Sequence, residues 1–251
     1  MTTAPLFLVD ALPTGADAVL DGAEGRHAAT VRRLRRGEEL VLSDGCGGLA
    51  HAVVEAMIGR DALAVRIVDR TWVEPPAPRV LLAQALVKGE RGELAVELAT
   101  EAGVDAVLPW RAARCVAKWE PGPRGDRALH RWRGTARAAA KQARRPWVPR
   151  VEDPIDTREL ARRVAAADVA LVLHEAAGDG LADVAGQLPE RGDVLIAVGP
   201  EGGVSDAELE ELAGAGARAV RLGPEVLRAS TAAAVALGAL GVLTSRWRNR
   251  I

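Results

Sequence analysis

The chain has few aromatic residues and few cysteines. Its 251 residues include six Trp, one Phe and no Tyr, although 49% of them are hydrophobic. We therefore expect a core built mainly from Leu, Val and Ala. The two cysteines, Cys46 and Cys115, are too few for a disulfide framework, and the sequence around them lacks the His and Cys spacing of a zinc site. This pattern predicts ordinary thiols in a reducing compartment and no bound metal.

Signals for secretion and for membrane insertion are also missing from the sequence. Residues 1–5 lack the charged and apolar regions of a signal peptide. No apolar run is both long enough and free enough of charge to span a bilayer. The nearest candidate, residues 232–243, is short and rich in Ala, which is typical of a packed helix. The sequence predicts a cytoplasmic protein with no membrane partner.

The charged residues are balanced in number but unevenly distributed. The formal net charge is -1, yet residues 111–150 contain twelve Lys or Arg and only two acids, Glu120 and Asp126. A second basic cluster near the N-terminus consists of Arg26, Arg32, Arg33, Arg35 and Arg36. Basic islands within a neutral chain favour a polyanionic partner.

The pattern of predicted elements changes near a proline-rich segment. Residues 1–73 contain short apolar runs separated by glycine turns, including the hairpin signal Asp44-Gly45, and this pattern predicts a small β-barrel. Residues 74–78 read Glu-Pro-Pro-Ala-Pro, which is typical of a stiff linker. From residue 79 onward, predicted strands and helices alternate, so residues 74–251 predict a mostly parallel α/β sheet.

The most informative segment is a strand that ends in a glycine turn. Residues 194–198 are all apolar, and the turn that follows contains Gly199, Gly202 and Gly203. Ser205 and Glu208 then form the spacing of a capping box at the start of a helix. A buried strand, a glycine turn and a helix start are typical of a ligand-binding edge, because bare backbone can approach a ligand there.

Two further strand ends repeat this arrangement. Residues 220–224 run from an apolar strand into Gly-Pro, and an Ala-rich helix begins near Ser230 or Thr231. Residues 169–173 form a third apolar strand, which ends at His174. The three strand ends together predict one ligand pocket.

The order and spacing of these loops resemble the SPOUT methyltransferases and, within them, the RsmE family of 16S rRNA (uracil-N3)-methyltransferases. Five markers carry the resemblance, which covers nearly the whole chain: LVKGER at 86–91, QARR at 142–145, LHE at 173–175, GPEGG at 199–203 and LGPEVLR at 222–228. Two segments depart from the family pattern. Residues 229–231 lack the acid that many relatives carry after the Leu-Arg pair, and residues 142–145 are more basic than the family's Gln-Ser-Gly-Arg.

The resemblance implies a SPOUT-type fold with a C-terminal trefoil knot, preceded by a PUA-like β-barrel that binds RNA. It also implies a homodimer that uses S-adenosyl-L-methionine to methylate N3 of one uridine of 16S rRNA, in the decoding region of the small ribosomal subunit. Loop amides at the three strand ends can hydrogen-bond an adenine as a base-pair edge does. The residues assigned to the cofactor are Leu173, Gly199, Gly202, Gly203, Leu222, Gly223, Leu227 and Ala232.

Methylation at N3 of uracil requires loss of the ring proton and stabilisation of the resulting negative charge. Arg228 is the candidate for the electrostatic role, although an ion pair with Glu201 or Glu225 is equally compatible with its position. Glu201 could orient the cofactor or act as the base, although a structural cap is the more common role. Ser230 and Thr231 suit either a substrate contact or a helix N-cap. The general base is left unassigned.

Candidate RNA contacts come from the basic segments. A predicted helix over residues 126–145 carries its basic side chains on one face with almost no acids interleaved, which favours RNA over a solvated surface. Trp132 and Trp147 flank this face and could stack on bases, although such residues more often belong to the core. The RNA contacts assigned in these segments are Arg26, His27, Arg32, Arg133, Arg137, Lys141, Arg144 and Arg145. The family resemblance adds Lys88 and Arg91, which it places near RNA or the donor pocket.

Two other functions stay open at this stage. The chain could be a SPOUT ribose 2′-O-methyltransferase acting on tRNA or rRNA, which would need the same donor loops without stabilisation of a base anion. It could instead be a non-catalytic RNA-binding assembly factor that retains only the fold. The intact glycines of both loops argue against that last alternative.

Overall fold

The computed structural model describes residues 4–248, which divide into two units. Of these residues, the first unit contains 4–75 together with 140–148, and the second contains 76–139 and 149–248. The first unit therefore includes a segment that a contiguous boundary near residue 73 leaves out. Among the described residues, no helix combines the length and the hydropathy needed to cross a membrane.

The first unit is organised around a five-stranded sheet. Its strands are β1 (Leu6–Leu8), β2 (Asp17–Leu20), β3 (Glu39–Ser43), β4 (Gly48–Ile58) and β5 (Ala62–Trp72). They pair in the order β1-β3-β4-β5-β2, and the β1–β3 pair is parallel while the others are antiparallel. Alternate residues of these strands are buried in an apolar core around Phe7, Leu40, Leu42 and Leu63.

Helical and irregular segments complete the first unit. Helix α1 (Gly22–Arg26) continues into a π-helical turn (His27–Val31). Residues 146–148 lie along the β3–β4 turn, where the Gly47 amide donates to the Pro146 carbonyl at 2.9 Å. The Trp147 indole donates to the Val73 carbonyl at 2.9 Å.

The second unit contains a six-stranded sheet in which every pair is parallel. Its strands are β6 (Arg79–Ala85), β7 (Ala106–Trp110), β8 (Arg150–Val151), β9 (Val169–Leu173), β10 (Asp193–Val198) and β11 (Arg218–Val220), in the order β11-β9-β10-β6-β7-β8. The central strands β6 and β10 are mostly apolar, and their side chains contribute to the cores on both faces of the sheet. This confirms the predicted mostly parallel α/β architecture.

The connections of the sheet are helical. They are α2 (Arg91–Glu101), α3 (Pro123–Gln142), α4 (Thr157–Ala166), a 3₁₀ helix (Leu181–Gln187) and α5 (Asp206–Gly214), and helix α6 (Ala229–Leu243) follows the last strand. The Ser205 hydroxyl accepts from the Glu208 amide at the start of α5, and the Glu208 carboxylate reaches back to Ser205. The predicted capping box is therefore confirmed.

Helix α3 ends three residues earlier than predicted. Arg144 has a φ of +54°, and the Arg144 and Arg145 amides donate back to the carbonyls of Lys141 and Ala140. A left-handed residue with this pair of hydrogen bonds closes a helix. Arg144 and Arg145 thus lie beyond the helix and do not continue its basic face, contrary to the predicted stripe.

Candidate active site

A cavity of about 330 Å³ lies at the carboxyl edge of the parallel sheet, where strands β9 and β10 end. Because neighbouring parallel strands end at one edge, residues 173–175 and 198–204 come together there although they are distant in sequence. Val87, Arg91 and the segment that leads into helix α6 also contribute to the lining. Eight of the predicted site residues line this cavity: Arg91, Leu173, Gly199, Glu201, Gly203, Leu227, Arg228 and Ala232.

Three predicted cofactor residues do not line this cavity. Gly202 lies against Arg114, so that a Cβ at Gly202 would be 3.2 Å from the Arg114 Cβ. Leu222 packs against the hydrophobic core instead. A Cβ added to Gly223 would meet nothing closer than the Glu225 Oε2 atom at 3.6 Å, so the space around it does not require glycine.

The turn 199–204 depends on its glycines at two positions. A Cβ on Gly199 would lie 2.7 Å from the Val204 Cγ2 atom and 3.3 Å from the Val204 amide nitrogen. Gly203 has a φ of +73°, a conformation that L side chains rarely adopt, and its amide donates to the Pro200 carbonyl at 2.9 Å. The glycines therefore shape the wall of the cavity by their lack of side chains.

Below this turn, the carboxylate of Glu208 is buried and fully hydrogen-bonded. It accepts from the Ser205 amide and hydroxyl, the Thr157 hydroxyl and the Ala113 amide. Burial raises the pKa of the Glu208 carboxyl, but the hydrogen bonds from Ala113, Ser205 and Thr157 outweigh burial, and the net pKa lies below its ordinary value. Glu208 is thus ionised at neutral pH.

Arg114 contacts the same turn and was missed in the sequence. Its Nη1 atom donates to the Gly202 carbonyl at 3.2 Å and to the Val204 carbonyl at 3.4 Å. The contact spans almost ninety positions of the chain, and no local pattern marks it. The neighbouring thiol of Cys115 is half-buried, and burial raises the pKa of that thiol.

The second Gly-Pro-Glu loop presents its side chains to solvent. Residues 224–228 are exposed, and Val226 is 77% exposed. Arg228 precedes α6, and its carbonyl accepts from the amides of Thr231 and Ala232 at 2.9 and 3.0 Å. Within the described residues its guanidinium makes no ion pair with Glu201 or Glu225, in contrast to the alternative considered from the sequence.

Glu201 instead faces Arg91 across the cavity. The Arg91 Nη1 and Glu201 Oε1 atoms are 3.9 Å apart, and both side chains are partly exposed, so the pair contributes little to stability. His174 also lines the cavity, where its Nδ1 atom accepts from the Ala176 amide at 3.2 Å. Only the Nε2 atom of His174 therefore remains available to a ligand.

The basic residues assigned to RNA have different surroundings. In the second unit, Lys88 and Arg137 are exposed, and Arg133 pairs with Asp153 at 2.9 Å. Asp153, from another segment, thus supplies an acid that the α3 sequence lacks, so the scarcity of acids within the helix does not leave all of its basic residues unpaired. Trp132 is 1% exposed and belongs to the core, so it cannot stack on bases.

In the first unit too, some of the residues assigned to RNA are exposed and others have partners within the protein. The Lys141 Nζ atom lies 2.6 Å from the Glu24 carboxylate and over the Phe7 ring, so Lys141 is not a free contact for RNA. His27 packs edge-on against Phe7. Arg26 pairs loosely with Asp61 at 3.8 Å. The remaining assigned residues of this unit are Arg32 and Arg144, which are exposed, and Arg145, which is partly buried.

The cavity has the chemical character that a nucleoside linked to an amino acid requires. Val87, Leu173, Val198 and Leu227 provide apolar walls, and the glycine turn provides backbone that a base can approach. Arg91 and Glu201 offer one charge of each sign. In the part of the chain that the structure describes, no group of three or more His, Cys, Asp or Glu side chains could hold a metal ion.

Comparisons with known proteins agree with this architecture. A family model described as an RNA methyltransferase domain matches residues 74–241, and one described as an RNA methyltransferase PUA domain matches residues 20–68. A Mycobacterium tuberculosis protein named ribosomal RNA small subunit methyltransferase E is 57% identical over 249 residues, which cover 97% of this chain and 94% of that protein.

Two solved structures are similar over nearly the whole chain. A Legionella pneumophila methyltransferase in complex with S-adenosylmethionine has a TM-score of 0.82 at 30% identity, over 97% of this chain and 98% of that one. A ribosomal RNA small subunit methyltransferase E from Neisseria gonorrhoeae, bound to S-adenosylmethionine, has a TM-score of 0.83 at 25% identity, over 96% and 98% of the two chains. The chain belongs to the ribosomal RNA small subunit methyltransferase E family, as its five sequence markers predicted.

Proposed function

We propose that this chain transfers a methyl group from S-adenosyl-L-methionine to N3 of one uridine in 16S rRNA of the small ribosomal subunit, in the decoding region. The observation that carries the proposal is the cavity at the sheet edge, which gathers residues of four of the five family markers in one place. Family membership and the cofactor-bound neighbours support the same reaction.

The residues of the cavity divide into two roles. Leu173, Gly199, Gly203, Leu227 and Ala232 hold the donor, with apolar contacts to its adenine and backbone approach along the glycine turn. The bound donor supplies an electrophilic methyl group on a sulfonium. The donor's amino-acid end carries both charges, and Arg91 and Glu201 offer complementary partners for it.

Arg228 is the residue proposed to act on the uridine. Removal of the N3 proton leaves a negative charge shared with the two flanking carbonyl oxygens of the ring. The Arg228 guanidinium lies at the cavity, is exposed and makes no ion pair within the described residues, so it can approach that charge. Glu201 is retained as the second catalytic candidate, because its carboxylate lines the same cavity.

RNA binding is assigned to exposed basic residues of both units. Arg32 and Arg144 on the first unit and Lys88 on the second are exposed, which supports contacts to phosphates. We also propose that residues 1–73 act as the PUA-like RNA-binding domain and residues 74–251 as the catalytic domain, with the trefoil knot that the family resemblance implies. The matched families support this division.

The proposal includes a cytoplasmic homodimer in which α6 contributes to the interface. Val235 and Val242 are seven positions apart on this helix, so they share one face, and they are 47% and 69% exposed. Leu94 on the neighbouring helix α2 is 41% exposed. Apolar side chains of this kind are typical of surfaces that a second copy covers.

The test is methylation of small ribosomal subunits that lack their native methylation, with nucleosides identified by mass spectrometry. We expect 3-methyluridine with the wild-type chain and none with Gly199→Val, because that side chain would clash with Val204. A 2′-O-methylated nucleoside would instead favour the ribose methyltransferase alternative. If the wild-type chain forms no product and binds no donor, the result would favour the alternative of a non-catalytic RNA-binding assembly factor.

A further inference from the structure

The buried carboxylate of Glu208 links segments that are far apart in the sequence. Its Oε1 atom accepts from the Ala113 amide and the Thr157 hydroxyl, both at 2.8 Å. Its Oε2 atom accepts from the Ser205 amide at 3.1 Å and from the Ser205 hydroxyl at 2.8 Å. The Thr157 hydroxyl in turn accepts from the buried Trp110 indole at 3.1 Å. A helix cap needs only the contacts to Ser205, so capping does not explain the other two donors.

Both ends of this network reach the glycine turn. Ser205 directly follows the turn, so its two hydrogen bonds to Glu208 fix the point at which the turn enters helix α5. Arg114 directly follows Ala113, and its guanidinium donates to the carbonyls of Gly202 and Val204. The carboxylate therefore holds the turn from its end and also through the segment packed against it.

We propose that Glu208 is a positioning residue for the methyl donor, which keeps the turn 199–204 in the geometry that lines the cavity. The inference rests on the proposed function, because it assigns that cavity to S-adenosylmethionine. Glu208 does not itself line the cavity, whereas Gly199, Gly203 and Val204 do. Its effect on the donor is therefore transmitted through the backbone of the turn.

A role in stability alone would have a different consequence. A cap that only stabilises the fold lowers the melting temperature and leaves the affinity of the folded protein for its donor unchanged. A positioning residue raises the Kd and the KM for the donor in protein that is fully folded. Because Arg228, the residue proposed to act on the uridine, lies outside the turn that Glu208 holds, the turnover at saturating donor stays near that of the wild type.

The experiment compares Glu208→Gln with Glu210→Gln, a matched change at an exposed position of the same helix. Donor Kd is measured by calorimetry well below both melting temperatures, together with KM for the donor, KM for the ribosomal subunit, and kcat. For Glu208→Gln we expect the donor Kd and KM to rise about tenfold, equivalent to about 1.4 kcal/mol, with kcat and the subunit KM nearly unchanged. Glu210→Gln is expected to match the wild type.

Thr157→Val provides a second test that retains the carboxylate. This change removes one donor to Glu208 with little change in side-chain size, and Thr157 does not line the cavity. We expect a smaller rise in donor Kd in the same direction. Wild-type donor affinity in folded Glu208→Gln and Thr157→Val would overturn the positioning role while leaving the proposed function intact. A wild-type chain that binds no donor would overturn both.

Discussion

The two loops that begin with Gly-Pro-Glu look alike in the sequence but differ in structure. In the loop 199–204, Pro200 and Val204 are buried and two carbonyls accept from Arg114. In the loop 223–228, residues 224–228 are all exposed. The first loop is held in one conformation by distant parts of the chain, and the second is held mainly where it enters helix α6.

This difference suits two different ligands. A small donor must be held so that its methyl group points in one direction, and a turn that is fixed by buried contacts can do this. A nucleotide within an RNA arrives with its own backbone and needs a surface that can adjust to it. Segments with few buried contacts adjust at low free-energy cost. We therefore associate the first loop with the donor and Arg228, at the end of the second loop, with the uridine.

The largest effect that we expect comes from adding one methyl group to the first loop. In Gly199→Ala, the new Cβ would lie 2.7 Å from the Val204 Cγ2 atom, so the wall of the cavity must shift. We expect the donor Kd to rise by more than about 100-fold, or about 2.7 kcal/mol. The matched change Gly223→Ala meets no atom closer than 3.6 Å and should leave the Kd within about twofold. Calorimetry on both variants checks this, and equal losses would remove the distinction between the loops.

A smaller effect is expected on stability from truncating one valine in each loop. Val204 is 3% exposed, so Val204→Ala should lower the free energy of unfolding by about 1–3 kcal/mol through lost burial and a residual cavity. Val226 is 77% exposed, and Val226→Ala should change this free energy by less than about 0.5 kcal/mol. Urea unfolding measures both values. A loss for Val226→Ala as large as that for Val204→Ala would show that the second loop is also fixed by packing.

The smallest effect is a pH dependence of stability that comes from Glu208, whose carboxylate holds the end of the first loop. Hydrogen bonds hold the pKa of Glu208 below its ordinary value, although burial acts in the opposite direction. The stabilisation is therefore fully present above the ordinary pKa of a glutamate, and it is lost as the pH falls through that value toward the lower pKa of the folded state. We expect the difference in unfolding free energy between the wild type and Glu208→Gln to shrink with acidification below about pH 4.3.

Comparing the wild type with Glu208→Gln isolates the contribution of the Glu208 carboxylate, because every other carboxylate is common to both proteins. Urea unfolding at a series of pH values from neutral to acidic provides the measurement. A difference that stays constant over the whole series would show that the ionised carboxylate does not contribute in this way.

Local features of the site could be predicted from the sequence, whereas distant contacts could not. The capping box of Ser205 and Glu208 lies within four residues, and its geometry follows from the helix itself. The strand ends at Leu173 and Gly199 were placed at one edge because parallel strands share their direction. Arg114 was missed because its contact with the turn depends on the tertiary fold.

Ion pairs of the basic helix α3 could not be predicted from the sequence either. Its sequence has almost no acids, yet Arg133 and Lys141 have acidic partners that come from other segments, Asp153 and Glu24. A charge pattern within one helix predicts which residues share a face, but it does not show which acids the fold brings to that face. The end of α3 at Gln142 depends on the left-handed conformation of Arg144, which a non-glycine residue rarely adopts.

The most direct test of this division of roles is the donor affinity and the single-turnover rate of Arg228→Ala, measured on the same preparation with unmethylated small subunits. We expect the rate at saturating donor to fall about 100-fold, as when a group that stabilises a developing negative charge is removed, while the donor Kd stays within about twofold of the wild type. A donor Kd that rises 100-fold with an unchanged saturating rate would contradict the assignment of Arg228 to the uridine.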